Sequence, residues 1–104
     1  MLTDKLYILS YGKVAAINKK TGDIIWEKKL KEYISAMSLY GVGQLMVEGD
    51  KLYIAISGRL LCLKAKDGSF LWKNDLKGWG YQFISLANQN SEAVVAMQQQ
   101  QAAT

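Results

Sequence analysis

Asp4-Lys5-Leu6-Tyr7-Ile8 returns 46 positions later as Asp50-Lys51-Leu52-Tyr53-Ile54. Residues 4–31 and 50–77 are identical at 11 of 28 aligned positions. The same offset relates several glycines and tryptophans, namely Gly12 and Gly58, Gly22 and Gly68, and Trp26 and Trp72. A fixed period of this length is typical of repeat architectures, whose units cannot bury their apolar faces alone.

Each repeat unit reads as short strands separated by turn signals. The apolar runs are rich in Tyr, Ile and Leu, are interrupted by glycine, and lack the i, i+3, i+4 spacing of an amphipathic helix. We predict strands over 6–11, 14–18 and 23–28 in the first unit, and over 45–48, 51–56, 60–65 and 69–73 in the second. The Gly12-Lys13 and Gly58-Arg59 pairs are assigned to tight hairpin turns.

The predicted strands are apolar on both faces. Residues 6–9 and 24–26 are consecutive apolar side chains, whereas a sheet covered on one side alternates apolar and polar residues. A sheet stacked between two other sheets is covered on both faces and need not alternate, and the blades of a β-propeller are stacked in this way. The pattern therefore favours an all-β fold of antiparallel propeller blades.

The strand count predicts how the blades are completed. The chain reads as three strands, then a four-stranded unit, then one further strand over 92–97. We expect two four-stranded blades in residues 1–97, approximately 4–43 and 44–91, with strand 92–97 completing a blade in a neighbouring copy. Ring closure would then occur by oligomerisation, and residues 98–104 would form a flexible tail.

Composition argues against catalysis and metal binding. The chain has no histidine, so it lacks the commonest general base and metal ligand. Its single cysteine, Cys62, lies in an apolar run, which predicts a buried thiol and rules out an intrachain disulfide. The net charge of +4 comes from dispersed lysines, so a nucleic-acid surface is not expected. We predict no catalytic, cofactor-binding or metal-binding residues.

Localisation follows from segments that the sequence lacks. There is no apolar run of 18 residues, and the N-terminus has no signal-peptide pattern. We therefore predict no membrane span, and a cytoplasmic protein if the chain is complete. If the chain is a mature or excised segment, its compartment stays open.

The stretch Ala16-Ile17-Asn18-Lys19-Lys20-Thr21-Gly22-Asp23-Ile24-Ile25-Trp26 resembles the tryptophan docking motif of quinoprotein-type (PQQ-like) β-propellers, Ala-x-Asp-x-x-Thr-Gly-x-x-x-Trp. Asn18 replaces the motif's Asp. The second copy, 62–72, departs at three positions but keeps Gly68 and Trp72. The resemblance covers residues 4–97 and implies a propeller fold.

The resemblance also implies roles for four residues. In that family the tryptophan docks between adjacent blades and the glycine permits the tight turn before the last strand. Structural roles therefore follow for Gly22, Trp26, Gly68 and Trp72. The family's dehydrogenases use an adjacent-cysteine disulfide, calcium ligands and a catalytic Asp on a longer chain. A chain with one cysteine matches instead the members that bind no quinone, so no cofactor is expected.

Two repeats per chain leave the number of blades to assembly. Propellers of the PQQ-like family usually have eight blades. With two blades per chain, the resemblance therefore favours a homotetramer, and a six-bladed homotrimer is the second choice. A fragment of a longer PQQ-like propeller, including a quinoprotein dehydrogenase, is the competing interpretation.

A ligand would be expected beside the long linkers, 31–44 and 77–91, and the hairpin turns that share their end of the blades. The candidate ligand-face residues are Tyr11, Lys13, Tyr40, Arg59, Trp79 and Tyr81. Aromatic and basic side chains together suit a sugar or a peptide. Alternatively, Trp79, Tyr81 and Phe83 alternate along a strand and pack between blades. We predict a non-catalytic scaffold that binds protein or carbohydrate; the alternative is a purely structural or engineered propeller unit.

Overall fold

Seven β-strands make up the part of the chain that the structure, a computed structural model, describes: residues 4–35, 43–80 and 84–89. They are β1 (Lys5–Ser10), β2 (Lys13–Asn18), β3 (Ile24–Lys29), β4 (Gly43–Glu48), β5 (Lys51–Ile56), β6 (Arg59–Lys64) and β7 (Phe70–Asn74). One turn of 3-10 helix, Leu30–Glu32, follows β3. The predicted strand over 92–97 and the tail over 98–104 lie outside the described residues.

The strands form two antiparallel sheets. Sheet 1 has the order β1-β2-β3 and sheet 2 the order β4-β5-β6-β7. The all-β prediction is confirmed, as are the three strands of the first unit and the four of the second. Sheet 1 has three strands among the described residues, so its completion to four stays a prediction.

The hairpins β1–β2 and β5–β6, which are repeat equivalents, turn one residue earlier than predicted. The turns are Tyr11-Gly12 and Ser57-Gly58, and β2 and β6 begin directly after them. All four turn residues have positive φ, between 49° and 78°. A two-residue turn with positive φ at both positions matches the right-handed twist of the flanking strands, which explains why Tyr11 and Ser57 adopt an unusual conformation.

The hairpins β2–β3 and β6–β7, which are also repeat equivalents, are closed by the same main-chain hydrogen bonds. The amide of Gly22 donates to the carbonyl of Asn18 at 2.7 Å, and the amide of Gly68 donates to the carbonyl of Lys64 at 2.8 Å. Both glycines have φ near +80°, a region that L-residues with a side chain rarely adopt. The backbone thus repeats even where the side chains differ.

Different side chains serve the same role in these two turns. The hydroxyl of Thr21 accepts a hydrogen bond from the amide of Asp23 at 3.2 Å. At the matching position, the carboxylate of Asp67 accepts from the amide of Ser69 at 2.9 Å and from its hydroxyl at 2.6 Å. These two bonds to Ser69 lower the pKa of Asp67. Asp67 therefore replaces the motif's threonine without loss of the turn.

In each sheet a tyrosine and a tryptophan lie on one face, because both pair with the same residue of the strand between them. Tyr7 and Trp26 both pair with Ala16, on opposite sides of it, and a register shift follows between Ala16 and Ile17. The two rings lie 6.2 Å apart at 46°. Tyr53 and Trp72 repeat this arrangement in sheet 2, at 6.2 Å and 47°.

The core lies between the two sheets. Its buried members are Val14, Leu30, Ile34, Leu52, Ile54, Ile56, Leu61, Leu63 and Ala65. Tyr7, Leu9 and Trp26 of sheet 1 pack against this cluster. One face of each sheet is therefore used in the contact with the other sheet.

Replacing Tyr11 with Asn is expected to stabilise the chain. Tyr11 is well exposed and has φ 53°, and Asn tolerates this conformation better than Tyr. We expect a gain of about 1 kcal/mol in the free energy of unfolding, measured by urea denaturation of the dilute protein. Tyr11→Ala is the control, because it removes the ring but keeps the backbone strain, and an equal gain there would contradict this explanation.

Candidate interaction surfaces

One carbonyl oxygen connects the two sheets. The indole Nε1–H of Trp26 and the hydroxyl of Tyr7 both donate to the carbonyl of Ala65, each at 3.1 Å. A main-chain carbonyl has two lone pairs, so it can accept both bonds. Burial raises the pKa of Tyr7, which keeps its hydroxyl protonated and able to donate.

Gly68 lets the indole of Trp26 approach the neighbouring turn. A Cβ atom at Gly68 would lie 2.7 Å from Cε3 of Trp26, closer than carbon atoms can approach without displacement. The tryptophan of sheet 1 is therefore packed directly on the glycine turn of sheet 2. This contact joins two of the four residues for which we expected structural roles.

A second contact joins the linker after β3 to the outer strand of sheet 2. The ring of Tyr33 stacks on Phe70, with centroids 4.3 Å apart and planes at 8°. The ammonium of Lys73 donates to the carbonyl of Tyr33 at 2.9 Å. The ammonium of Lys28 lies 5.9 Å from the centre of the Tyr33 ring. The start of the linker is thus held by an aromatic pair and two cations.

The repeat equivalents of these contact residues are exposed. Trp72 corresponds to Trp26 and is 41% exposed, and Trp79 corresponds to Tyr33 and is 77% exposed. Gly22 corresponds to Gly68, and a Cβ atom there would meet nothing within 4 Å. Within the described residues, one such contact is filled, and the equivalent residues lie exposed on the two far sides.

Arg59 lies in a polar cleft at the end of sheet 2 that carries the Ser57-Gly58 turn. Its Nε is 3.5 Å from a carboxylate oxygen of Asp75, and its Nη1 donates to the Asp75 carbonyl at 3.4 Å. The ammonium of Lys73 lies 3.7 Å from the same carboxylate. The cleft has a volume of ≈ 420 Å³ and is completed by Leu76, Lys77, Gly78 and Gly80. It presents both charge signs at one end of the sheet.

The structure does not gather the predicted ligand-face residues into one site. Lys13 lines a different cleft, beside Ile8 and Glu27 on the far face of sheet 1. Trp79 borders a third, with Leu76 and Ile84. Tyr11 lies exposed at the first hairpin turn. Two further candidates, Tyr40 and Tyr81, lie outside the described residues.

Some contact residues were not identified from the sequence. Tyr7 could have been, since its motif returns intact around Tyr53. The Ala65 acceptor could not, because a main-chain carbonyl leaves no sequence signal. Asp75, the partner of Arg59, has Lys29 at its equivalent position, so the repeat gave no indication of it.

The thiol of Cys62 is fully buried in β6, as its apolar surroundings predict. Burial raises its pKa, which disfavours the reactive thiolate. Among the described residues, no helix has the length and apolar character needed to cross a membrane.

Comparisons with known proteins place these sheets in a family. The family model described as outer membrane protein assembly factor BamB (PQQ_2) matches residues 10–103. No curated protein matches the chain.

Similar solved structures include BamB from Moraxella catarrhalis, at 23% identity and a TM-score of 0.53, over 68% of this chain and 20% of that one. Quinohemoprotein alcohol dehydrogenase from Comamonas testosteroni is similar at 24% identity and a TM-score of 0.56, over 72% and 12%. Apo AztD from Citrobacter koseri is similar at 16% identity and a TM-score of 0.58, over 76% of this chain and 22% of that one. These likenesses show the fold: the two sheets resemble propeller blades. The chain spans well under a third of each structure.

The contact between the sheets can be tested with two matched glycines. Gly68→Ala and Gly22→Ala impose similar backbone strain, since φ is +79° and +82°, but only the first also meets the Trp26 ring. We expect Gly68→Ala to cost about 1–3 kcal/mol more stability, the usual cost of overpacking. Urea denaturation at low protein concentration measures the difference. Equal losses would show that the indole does not pack on Gly68.

Proposed function

The chain belongs to the PQQ-like β-propeller repeat family whose model is described as outer membrane protein assembly factor BamB, and from this premise we propose a function. The chain is a non-catalytic propeller module. It assembles with further copies of itself into a ring and serves as a scaffold that binds protein or carbohydrate.

One observation supports self-assembly above all others. Leu52 and Ile54 of sheet 2 are fully buried against sheet 1, whereas their repeat equivalents Leu6 and Ile8 are 52% and 45% exposed. Fully burying such a side chain stabilises a protein by about 1.5–3 kcal/mol. The face of sheet 1 that lies away from sheet 2 thus has the composition of a buried face and lacks its cover among the described residues.

The assembly we propose is a cyclic homotetramer with eight blades, and a homotrimer with six blades is second. Contacts between copies would be head to tail, because the two far faces of one chain are different surfaces. Propellers commonly have four to eight blades, which admits both sizes.

The cleft around Arg59 and Asp75 supports a ligand-binding role. It lies at the hairpin end of sheet 2, on a rigid scaffold, where binding residues are often found. A guanidinium and a carboxylate in one cleft suit the polar groups of a peptide main chain or a sugar. The family's description as an assembly factor for outer membrane proteins supports a protein ligand.

A second candidate is that the chain is part of a longer PQQ-like propeller, such as a quinoprotein dehydrogenase, and the lengths of the similar structures support it. The chain covers 12% of the quinohemoprotein alcohol dehydrogenase and 20% of BamB from Moraxella catarrhalis. Two blades of a longer propeller would have the same proportions. Titration with pyrroloquinoline quinone tests the enzymatic form of this alternative, since a saturable absorbance change would indicate a cofactor site.

The mass in solution tests self-assembly. We expect native mass spectrometry and light scattering to give one discrete species at four times the protomer's 11.6 kDa, or at three times in the six-bladed case. A ring leaves no sheet face uncovered, so intermediate species should be rare. A folded monomer at all concentrations would rule out the ring.

Ligand binding is tested on peptide and glycan arrays. Replacing Arg59 with Gln leaves Asp75 without its guanidinium partner, and we expect binding of any specific hit to weaken at least tenfold, roughly the effect of an interface hot spot. Lys64→Gln is the matched control, because Lys64 is exposed at the opposite end of the same strand, β6. Equal binding by both variants would exclude this cleft as the site.

A further inference from the structure

We propose that a second copy of this chain docks head to tail through two defined contacts. Trp72 of one copy packs on the Gly22 turn of the next, and Trp79 of the first packs on Ile24 of the second. This inference rests on the proposed self-assembly and names the residues that carry it.

The contact between sheets 1 and 2 provides the template for the first contact. Trp26 packs on Gly68 and donates to the carbonyl of Ala65. The repeat equivalent of Trp26, 46 positions later, is Trp72. The equivalents of Gly68 and Ala65, 46 positions earlier, are Gly22 and Lys19. The indole of Trp72 in one copy would therefore donate to the carbonyl of Lys19 in the next.

The acceptor turn of sheet 1 already has the required shape. The amide of Lys19 donates to the Asp4 carbonyl at 3.0 Å, just as the amide of Ala65 donates to that of Asp50 at 2.9 Å. Gly22 has φ +82°, and, apart from Gly22 and its two chain neighbours, no atom of the described residues lies within 4 Å of the place that its Cβ would occupy. The turn that would receive Trp72 is thus formed and accessible before any partner arrives.

The donor side is equally prepared. Trp72 is held by Tyr53 at the same ring distance and angle as Trp26 is by Tyr7. A groove of ≈ 240 Å³ lies beside it, bordered by Met46, Tyr53 and Leu86. The amide of Leu86 donates to the side-chain carbonyl of Gln44 at 3.0 Å, which holds the far wall of this groove in place.

The second contact follows from the stacked pair Tyr33–Phe70. The equivalent pair is Trp79 with Ile24, both highly exposed. Trp79 is larger than Tyr33 and Ile24 is smaller than Phe70, so the combined volume of the pair is roughly kept. The bond from Lys73 to the Tyr33 carbonyl is not repeated, because Glu27 replaces Lys73 and a carboxylate cannot donate.

The observations favour a second copy over an unrelated partner because both halves of the contact lie on the same chain. The acceptor half lies on sheet 1 and the donor half on sheet 2, on the sides that face away from each other. Such a contact is heterologous, so each copy keeps one free half after pairing. A contact of sheet 1 with sheet 1, or of sheet 2 with sheet 2, would not join a donor half to an acceptor half.

A complementation experiment tests this geometry. Gly22→Asn fills the acceptor turn while tolerating positive φ, and Trp72→Thr removes the donor ring from a strand position that accepts threonine. Each variant alone retains one intact half. We expect each to be monomeric by native mass spectrometry, and their equimolar mixture to form a 1:1 heterodimer with the intact Trp72 on the intact Gly22 turn.

The outcomes separate this contact from the proposed function. If the unmodified chain assembles but the mixture stays monomeric, or if either variant assembles like the unmodified chain, the contact is wrong and self-assembly stands. If the unmodified chain is monomeric at all concentrations, both proposals are overturned. A 1:1 heterodimer formed only on mixing supports the contact.

Two further variants control for folding. Gly49→Asn is the matched control for Gly22→Asn, since Gly49 also has positive φ and open space around it, and it should assemble normally. Circular dichroism checks that every variant is folded. If Trp72→Thr is not folded, Trp79→Ala replaces it as the donor-side variant, with an expected loss of about tenfold or more in association, as for an interface hot spot.

Discussion

The stacking of two sheets that are apolar on both faces is the constraint on which this molecule depends. The far face of sheet 1 carries exposed Leu6 and Ile8 beside charged Lys13 and Glu27, and a neighbour that buried the apolar side chains would stabilise it. At the one junction present within the described residues, apolar burial supplies most of the driving force. The Ala65 carbonyl and Gly68 add direction, because they admit an indole ring in one position.

The repeat preserves this junction through the backbone more than through side chains. Thr21 and Asp67 differ chemically, yet each accepts a hydrogen bond from the amide two residues later. Glycine is kept at the next position in both turns, because φ near +80° is required there. This explains how the second copy departs from the docking motif at three positions and still forms the same turn.

Much of the fold was predictable from the sequence. Every strand predicted within the described residues is present, since short apolar runs bounded by glycines leave few alternatives. The hairpin turns were misplaced by one residue, because neither Tyr11 nor Ser57 is a residue type that signals positive φ. The surfaces were less predictable. Lys13 and Arg59 are repeat equivalents, yet they line different clefts, because Arg59 alone has a nearby Asp75 in place of lysine.

The packing of Trp26 on Gly68 also restricts how sheet 1 can lie against sheet 2, and so constrains the rotation from one sheet to the next. A closed ring requires this rotation, summed over all sheets, to equal one full turn. A small error per step opens the ring into a helical filament. In the ring that we propose, the glycine at this junction would therefore influence curvature as well as stability, and a bulkier residue there would be expected to change the symmetry of the assembly before it abolished association.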